Sequence, residues 1–178
     1  MRFLTKNVVS YIDLLVFILP SYLANSTPVL LGGGTPMDFG KRFFDGQRIL
    51  GKSKTWRGFF AGVAAGTAGG ALISLVYFSP FFATPQLHVA SAFLLALGTM
   101  TGDAMGSFMK RRMKLPSGKP FFLDSILFLV VALAFALPAT ALTPYAPEAL
   151  AFLIILTIIL HPLSNWVANR LGMKRVPW

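Results

Sequence analysis

Six acidic residues stand among the 178 of this chain: Asp13, Asp38, Asp45, Asp103, Asp124 and Glu148. Two of them fall where a carboxylate is costly unless it is paired, protonated or bound to a cation. Asp103 lies near the end of an apolar stretch, in Gly102-Asp103-Ala104-Met105-Gly106-Ser107-Phe108-Met109-Lys110-Arg111-Arg112. Helical spacing puts Asp103, Ser107, Lys110 and Arg111 on one face. Asp124 opens the next apolar stretch, after Gly118-Lys119-Pro120-Phe121-Phe122-Leu123. Two hard oxygen ligands beside lysines and arginines suit Mg²⁺ and a polyphosphate. Mg²⁺ takes one or two carboxylates, keeps waters and completes its shell from substrate phosphates. The plainer readings are an ion pair of Asp103 with Lys110 or a bond to Ser107, and for Asp124 a helix N-terminal acid favoured by the dipole.

A second group of polar residues precedes these. Gly34-Thr35-Pro36-Met37-Asp38-Phe39-Gly40 is followed by Asp45-Gly46-Gln47-Arg48-Ile49-Leu50-Gly51-Lys52-Ser53-Lys54-Thr55-Trp56-Arg57-Gly58. Glycine-rich backbone with Lys, Arg, Ser and Thr can cradle phosphate. Gly51-Lys52-Ser53 looks like the end of a P-loop, but no strand precedes it and the motif fails its context. Asp38 and Asp45 also suit turns, the commoner role of Pro-x-Asp and Asp-Gly. Lys54, Arg57, Lys110 and Arg111 are the expected phosphate ligands, with Lys174 and Arg175 expected against lipid headgroups. His161, Asn165 and Asn169 form an i, i+4, i+8 stripe. It serves interhelical hydrogen bonding or lines a substrate cavity; His161 has no partner that would make it a general base. The absence of cysteine removes disulfides, thiolate metal sites and cysteine nucleophiles together.

The elements that must position these residues are set by composition. Apolar residues make up 55% of the chain and charged residues 12%, against about 25% charged in soluble domains. Too little polar surface remains for a water-soluble globule. A hydrocarbon core about 30 Å thick needs roughly 20 helical residues, and five segments qualify: 8–31, 58–78, 88–109, 121–142 and 149–171. Pro20 is expected to interrupt the first, which ends in Asn25-Ser26-Thr27-Pro28, and Pro162 to kink or break the last. The expectation is an all-α polytopic membrane protein, one domain over residues 1–178. Fourteen lysines and arginines fall in segments 32–57 and 110–120 and after the last span, whereas only Arg2 and Lys6 fall on the other side. That bias predicts cytoplasmic loops at 32–57 and 110–120, the N-terminus outside and the C-terminus in the cytoplasm.

The net charge of +10 would suggest nucleic acid in a soluble protein. Here the basic residues flank apolar spans, so anionic headgroups or phosphorylated substrates account for them and no nucleic-acid partner is expected. Arg2 and Lys6 do not open a signal peptide, because the apolar stretch that follows carries Asp13 and Pro20. Gly58, Gly62, Gly66 and Gly70 recur every four residues, as do Gly98, Gly102 and Gly106. Such stripes let helices approach closely, or, at Gly102 and Gly106, open space for a ligand beside Asp103. A transporter or channel is the rival class, and it is disfavoured because polar residues gather at one membrane face.

Taken together, Asn25-x-x-Pro28, Pro36-Met37-Asp38-x-Gly40, Asp45-Gly46-x-Arg48-x-x-Gly51-x-x-Lys54-Thr55-x-Arg57-Gly58, Gly102-Asp103, Ser107-Phe108-x-Lys110-Arg111-Arg112, Leu123-Asp124 and Val176-Pro177-Trp178 resemble the archaeal CDP-archaeol synthase family, a relative of the CDP-diacylglycerol synthases. The likeness spans most of the chain. It implies Mg²⁺-dependent transfer of CMP from CTP to 2,3-bis-O-(geranylgeranyl)glycerol 1-phosphate, releasing pyrophosphate, at a site facing the cytoplasm in the cell membrane. Another lipid-phosphate transferase is the alternative, but the Asp-Gly-x-x-Ala-Arg of CDP-alcohol phosphotransferases and the Asp-rich pairs of membrane prenyltransferases are both missing. Where the broader cytidylyltransferase signature has a Lys-Asp pair and a later His-Gly-Gly-x-x-Asp-Arg-x-Asp, this chain has Gly102-Asp103 and Leu123-Asp124-Ser125, which leaves the number of metal ligands open. The catalytic candidates are Asp103, Asp124, Lys110 and Arg111, the first two as metal ligands. Asn25, Pro36, Asp38, Asp45, Arg48, Lys54, Thr55, Arg57, Ser107, Arg112, His161 and Asn165 are the candidates for substrate binding. A lipid phosphate is already an anionic nucleophile, so the reaction needs charge neutralisation and in-line positioning rather than a Ser, Cys or His.

Overall fold

A computed structural model describes residues 10–115 and 122–174. Five α-helices follow one another: α1 Tyr11–Leu31, α2 Trp56–Val76, α3 Pro85–Arg112, α4 Phe122–Ala136 and α5 Pro147–Arg170. Among the described residues the only extended pairings are two isolated bridges in the loop between α1 and α2. Helices α1, α2, α3 and α5 are long and apolar enough to cross a membrane, so the chain is a multi-pass membrane protein. The fourth span is shorter than its apolar stretch of 121–142. Its helix ends at Ala136 and gives way to a 3-10 turn over Leu137–Ala139, because Pro138 has no amide to donate. Among the described residues its fifteen positions, at about 1.5 Å each, reach about 22 Å.

Side-chain caps set where three helices begin. Ser10, Thr55 and Thr84 accept the amides of Asp13, Gly58 and Leu87 at 3.4, 3.2 and 3.2 Å, each satisfying an orphan donor of the first turn. Neither proline in α1 breaks it. Between Pro20 and Pro28 the hydroxyls of Ser26 and Thr27 donate to the carbonyls of Tyr22 and Leu23 at 2.8 and 2.6 Å. Hydroxyls and neighbouring helices make proline tolerable at membrane depth. Helix α5 likewise runs unbroken through Pro162, so neither helix is broken at its proline.

Glycine brings the helices together. A Cβ on Gly66 would stand 2.6 Å from the Pro20 carbonyl oxygen of α1 and 2.7 Å from Ala96 Cβ of α3. The buried face Gly58, Gly62, Gly66, Gly70 is therefore wedged between both neighbours. On α3, a Cβ on Gly102 would stand 2.7 Å from Phe128 Cα and 2.8 Å from the Leu127 carbonyl oxygen of α4. Gly102 is a packing position, with no room left beside it for a ligand. Around these seams the core is filled by Phe17, Ile18, Leu95, Phe128, Leu129 and Leu153.

Gly102→Ala meets backbone rather than a movable side chain. It is expected to cost about 1–3 kcal/mol as overpacking and to push α4, which carries Asp124, away from α3. Thermal unfolding in detergent and turnover should both fall. An unchanged melting midpoint would show that the α3–α4 contact is looser than these distances require.

One end of the bundle gathers the loop between α1 and α2, the end of α3, the start of α4 and the end of α5, as the contacts below establish. The other end holds buried Asp13, which accepts from the Tyr77 hydroxyl at 2.9 Å, and Ser91, bonded to Thr140 at 3.1 Å.

Candidate active site

The loop over residues 32–55 is built around Asp38. Its side chain is fully buried. One oxygen accepts the Gly40 amide at 3.0 Å, and the other accepts the Leu50 and Gly51 amides at 3.1 and 2.9 Å. Arg48 forks onto both oxygens. Burial pushes the carboxyl up, but the Arg48 guanidinium and the three amides outweigh it and hold the group far below the usual carboxylate range. Bridges Pro36–Thr55 and Arg42–Arg48 close the two halves of the loop around this acid. Met37 donates to the Lys54 carbonyl at 2.8 Å, which fixes the backbone that carries Lys54. Pro36 is thus a bridge position, Thr55 is the buried cap of α2, and Arg57 lies exposed in its first turn.

Arg112 ties this loop to α3. Its guanidinium lies over the rings of Phe43 and Phe108, 4.5 and 4.8 Å from their centroids. It donates to the Arg48 carbonyl at 2.7 Å and faces Asp45 at 3.4 Å. Asp45 also accepts the Gln47 amide at 3.0 Å. Asp38, Asp45, Arg48 and Arg112 are therefore engaged with one another and with the loop backbone.

The two acids of the spans are met by lysines from different elements. Lys54 Nζ donates to Asp103 Oδ2 at 2.5 Å, and Lys110 Nζ donates to Asp124 Oδ2 at 2.6 Å. The sequence-based pair Asp103–Lys110 is not formed. Lys110 leans across to α4, and Asp103 takes its cation from the loop. Gly106 explains how α4 reaches in, since a Cβ there would stand 3.5 Å from Asp124 Oδ1. Asp103 and Gly106 are three residues apart, so they are neighbours on one helix face. Ser107 sits half-buried one turn beyond Asp103. Arg111 reaches back over the loop, its Nε 3.9 Å from where a Gly51 Cβ would be. That Nε is buried with no hydrogen-bond partner among the described residues, as are Nε and Nη1 of Arg112.

Helix α5 closes the site. Asn25 of α1 donates to His161 Nδ1 at 3.2 Å, and the His161 ring lies 5.5 Å from that of Phe128 in α4. After Arg170 the chain turns back at Gly172, with φ 72°. Met173 donates to the Ala168 carbonyl and Gly172 to that of Asn169, both at 2.9 Å, the bonds of a Schellman motif. Asn169 then donates to the Lys174 carbonyl at 2.9 Å, and Lys174 Nζ donates to Asn165 Oδ1 at 2.8 Å. Burial, followed by repulsion from Lys54, draws the Lys174 ammonium below its ordinary range, while Asp103 and Asp124 act against that. The sequence places Lys174 at the headgroups; here its ammonium is held on Asn165 of α5. The signal was present in the sequence: a glycine stop two residues before a lysine, with asparagines five and nine residues back. Lys119, Arg175 and the Val176-Pro177-Trp178 motif lie outside the described residues, as do Arg2 and Lys6.

Beside this cluster, a groove of about 550 Å³ runs between α1 and α5, lined among others by Leu19, Asn25, Leu30, Leu160, Asn165 and Met173. Two lysine–carboxylate pairs thus sit on the adjoining helices α3 and α4, Arg111 lies over the loop at Gly51, and Lys174 stands at the apolar groove through Asn165. That arrangement suits two phosphate-bearing substrates, one of them a lipid.

Comparison with known proteins agrees with the geometry. The family model described as CarS-like CDP-archaeol synthase matches residues 6–178. The CDP-archaeol synthase of Pyrococcus abyssi is 48% identical over 163 residues, 91% of this chain and 95% of that protein. That of Archaeoglobus fulgidus is 43% identical over 179 residues, covering 90% and 94%, and that of Methanococcus aeolicus is 40% identical over 174, covering 94% and 96%. A solved structure described as an intramembrane enzyme for archaeal membrane lipids biosynthesis superposes with a TM-score of 0.76 at 33% identity, covering 88% of this chain and 94% of that one. With a match over nearly its whole length and this degree of identity, the chain belongs to the CDP-archaeol synthase family.

Proposed function

We infer that this chain transfers CMP from CTP to 2,3-bis-O-(geranylgeranyl)glycerol 1-phosphate, forming CDP-archaeol and pyrophosphate. The observation that carries the reading is the pairing of Asp103 with Lys54 and of Asp124 with Lys110 on the adjoining helices α3 and α4, in a bundle that also opens an apolar groove between α1 and α5. Asp103 and Asp124 are the residues that hold Mg²⁺. Their donor set fits it: two carboxylates, each with one oxygen on a lysine, would hold the ion, with phosphates and water as the remaining donors. No cluster of three or more His, Cys, Asp or Glu competes for a cation among the described residues. When bound, Mg²⁺ neutralises the triphosphate and makes the α-phosphorus more electrophilic.

The protein's own groups do the rest. Arg111 offers its buried Nε to the triphosphate, and Lys54 and Lys110 move from the carboxylates onto phosphate oxygens. These cations offset the repulsion between two anionic substrates and hold them in line. A lipid phosphate oxygen then bonds to the α-phosphorus as the bond to the β-phosphate bridging oxygen breaks, and pyrophosphate leaves with that electron pair. The glycine-rich loop, held by Asp38 and Arg112, keeps Lys54 in place. The decisive experiment is release of pyrophosphate by the detergent-purified protein. It should require CTP, Mg²⁺ and the lipid phosphate together; release without the lipid, or none at all, would reject the reading.

The basic loops face the cytoplasm, and the enzyme resides in the cell membrane. In this cysteine-free chain, a cysteine in place of Gln47 should label only from the cytoplasmic side and one in place of Gln86 only from outside. Labelling of both from one side would overturn the topology. Ser117, in the other basic loop, lies outside the described residues.

A further inference from the structure

One lysine belongs to the groove rather than to the carboxylate pairs. Asn165 lines it, and Lys174 Nζ is held on Asn165 at 2.8 Å. Met173, the preceding residue, lines the groove as well, whereas Lys54 and Lys110 do not. The Schellman turn at Gly172 and the Asn169 bond to the Lys174 carbonyl fix this backbone, so the ammonium's position is built rather than fortuitous. On the α1 side the groove extends from Leu19 to Leu30, about 17 Å at helical rise. That is about half of a 30 Å hydrocarbon core, the depth over which one leaflet's lipid tails extend. Its volume of about 550 Å³ lies within the range of about 300–1,000 Å³ usual for small-molecule sites.

Resting on the cytidylyl-transfer reading, we propose that Lys174 binds the phosphate of the lipid substrate while one of its isoprenoid chains occupies the groove between α1 and α5. The other cations are left to the nucleotide: Lys54 and Lys110 start on the two metal-binding carboxylates and Arg111 sits over the loop, so they follow the triphosphate. This division gives each anion its own positive group, and it sets the lipid phosphate between the groove and the acids where its oxygen faces the α-phosphorus.

The test uses the full chain in detergent with 2,3-bis-O-(geranylgeranyl)glycerol 1-phosphate. Lys174→Met should raise the KM for this lipid about tenfold while the KM for CTP changes less than about twofold, as expected for loss of one charge-assisted contact. Lys174→Arg should restore most of the affinity. Equilibrium binding of radiolabelled lipid phosphate without CTP should weaken by the same factor. Being independent of turnover, that measurement separates failure of this assignment from failure of the reaction assigned above. Val167→Trp, at an exposed groove position, should raise the KM for the geranylgeranyl lipid but not for the analogue carrying two prenyl ethers. A rise for CTP equal to that for lipid, unchanged lipid binding in Lys174→Met, or equal effects of Val167→Trp on both lipids would overturn the proposal.

Discussion

Asp103→Asn and Asp124→Asn should each lower CMP transfer by about 100-fold or more at ordinary Mg²⁺. Loss of a metal's charge stabilisation is worth several kcal/mol, and each 1.36 kcal/mol is tenfold in rate. Asn keeps the shape of Asp and can still accept from Lys54 or Lys110, so the bonds of 2.5 and 2.6 Å have a replacement and the fold is retained. What disappears is the negative charge that a hard cation requires. Two readouts tie the loss to the metal. The residual activity should need a higher Mg²⁺ concentration, and the melting midpoint in detergent should stay near that of the wild type. Asp13→Asn is the control, since Asp13 is buried at the opposite end against Tyr77, and an amide oxygen accepts that hydroxyl equally well. Near-normal turnover in both Asp103→Asn and Asp124→Asn would remove the metal site and with it the proposed role of the surrounding lysines.

The pairing of these acids also marks where sequence reasoning stops. Periodicity places Asp103 and Lys110 on one face of a single helix and so suggests that they bond. The structure gives each a partner from another element, because Gly106 lets α4 close in and the bond from Met37 to the Lys54 carbonyl aims Lys54 at α3. Apolar length and glycine spacing were enough to read five helices and their seams, since a membrane allows few alternatives. They were not enough to decide whether Pro20 and Pro162 break their helices, which depends on hydroxyls and neighbouring backbone that a linear pattern does not reveal. The surroundings of Lys174 are another case. A lysine after the last span is an expected headgroup contact, and only the turn at Gly172 brings it back to Asn165. Arg112 illustrates the converse. In the sequence it is one of three adjacent cations, yet two aromatic rings and a backbone carbonyl engage it, while its Nε and Nη1, like the Nε of Arg111, stay buried without a hydrogen-bond partner among the described residues.

The second large effect is expected far from the metal, at Asp38. Four donors converge on its two oxygens: the amides of Gly40, Leu50 and Gly51, and Arg48. Asp38→Asn replaces one acceptor oxygen by an NH₂ that donates only, so whichever way the amide turns, it faces donors. Arg48 loses its counter-charge at the same time. Removing one member of a buried ion pair costs about 3–5 kcal/mol, more than a loop of this size recovers elsewhere, so the loop should open locally while the helices stay packed. Trypsin would then cut at Lys41, Arg42, Arg48 or Lys52, sites carried by this loop, at a rate well above that of the wild type, and CTP-dependent turnover should fall because Lys54 is no longer aimed at Asp103. In the wild type the linkage has the sign of a depressed carboxylate. Its stabilisation is complete above the unfolded-chain pKa of about 3.9 and is lost as pH falls towards the lower folded value. Acid in the range where carboxylates ordinarily titrate should therefore only begin to loosen the loop. Asp45→Asn, which keeps an acceptor for the Gln47 amide and leaves Asp38 intact, should be cut far more slowly. If Asp38→Asn resists trypsin as well as the wild type and keeps its turnover, the buried acid does not hold the loop, and the position of Lys54 must be set by α2 alone.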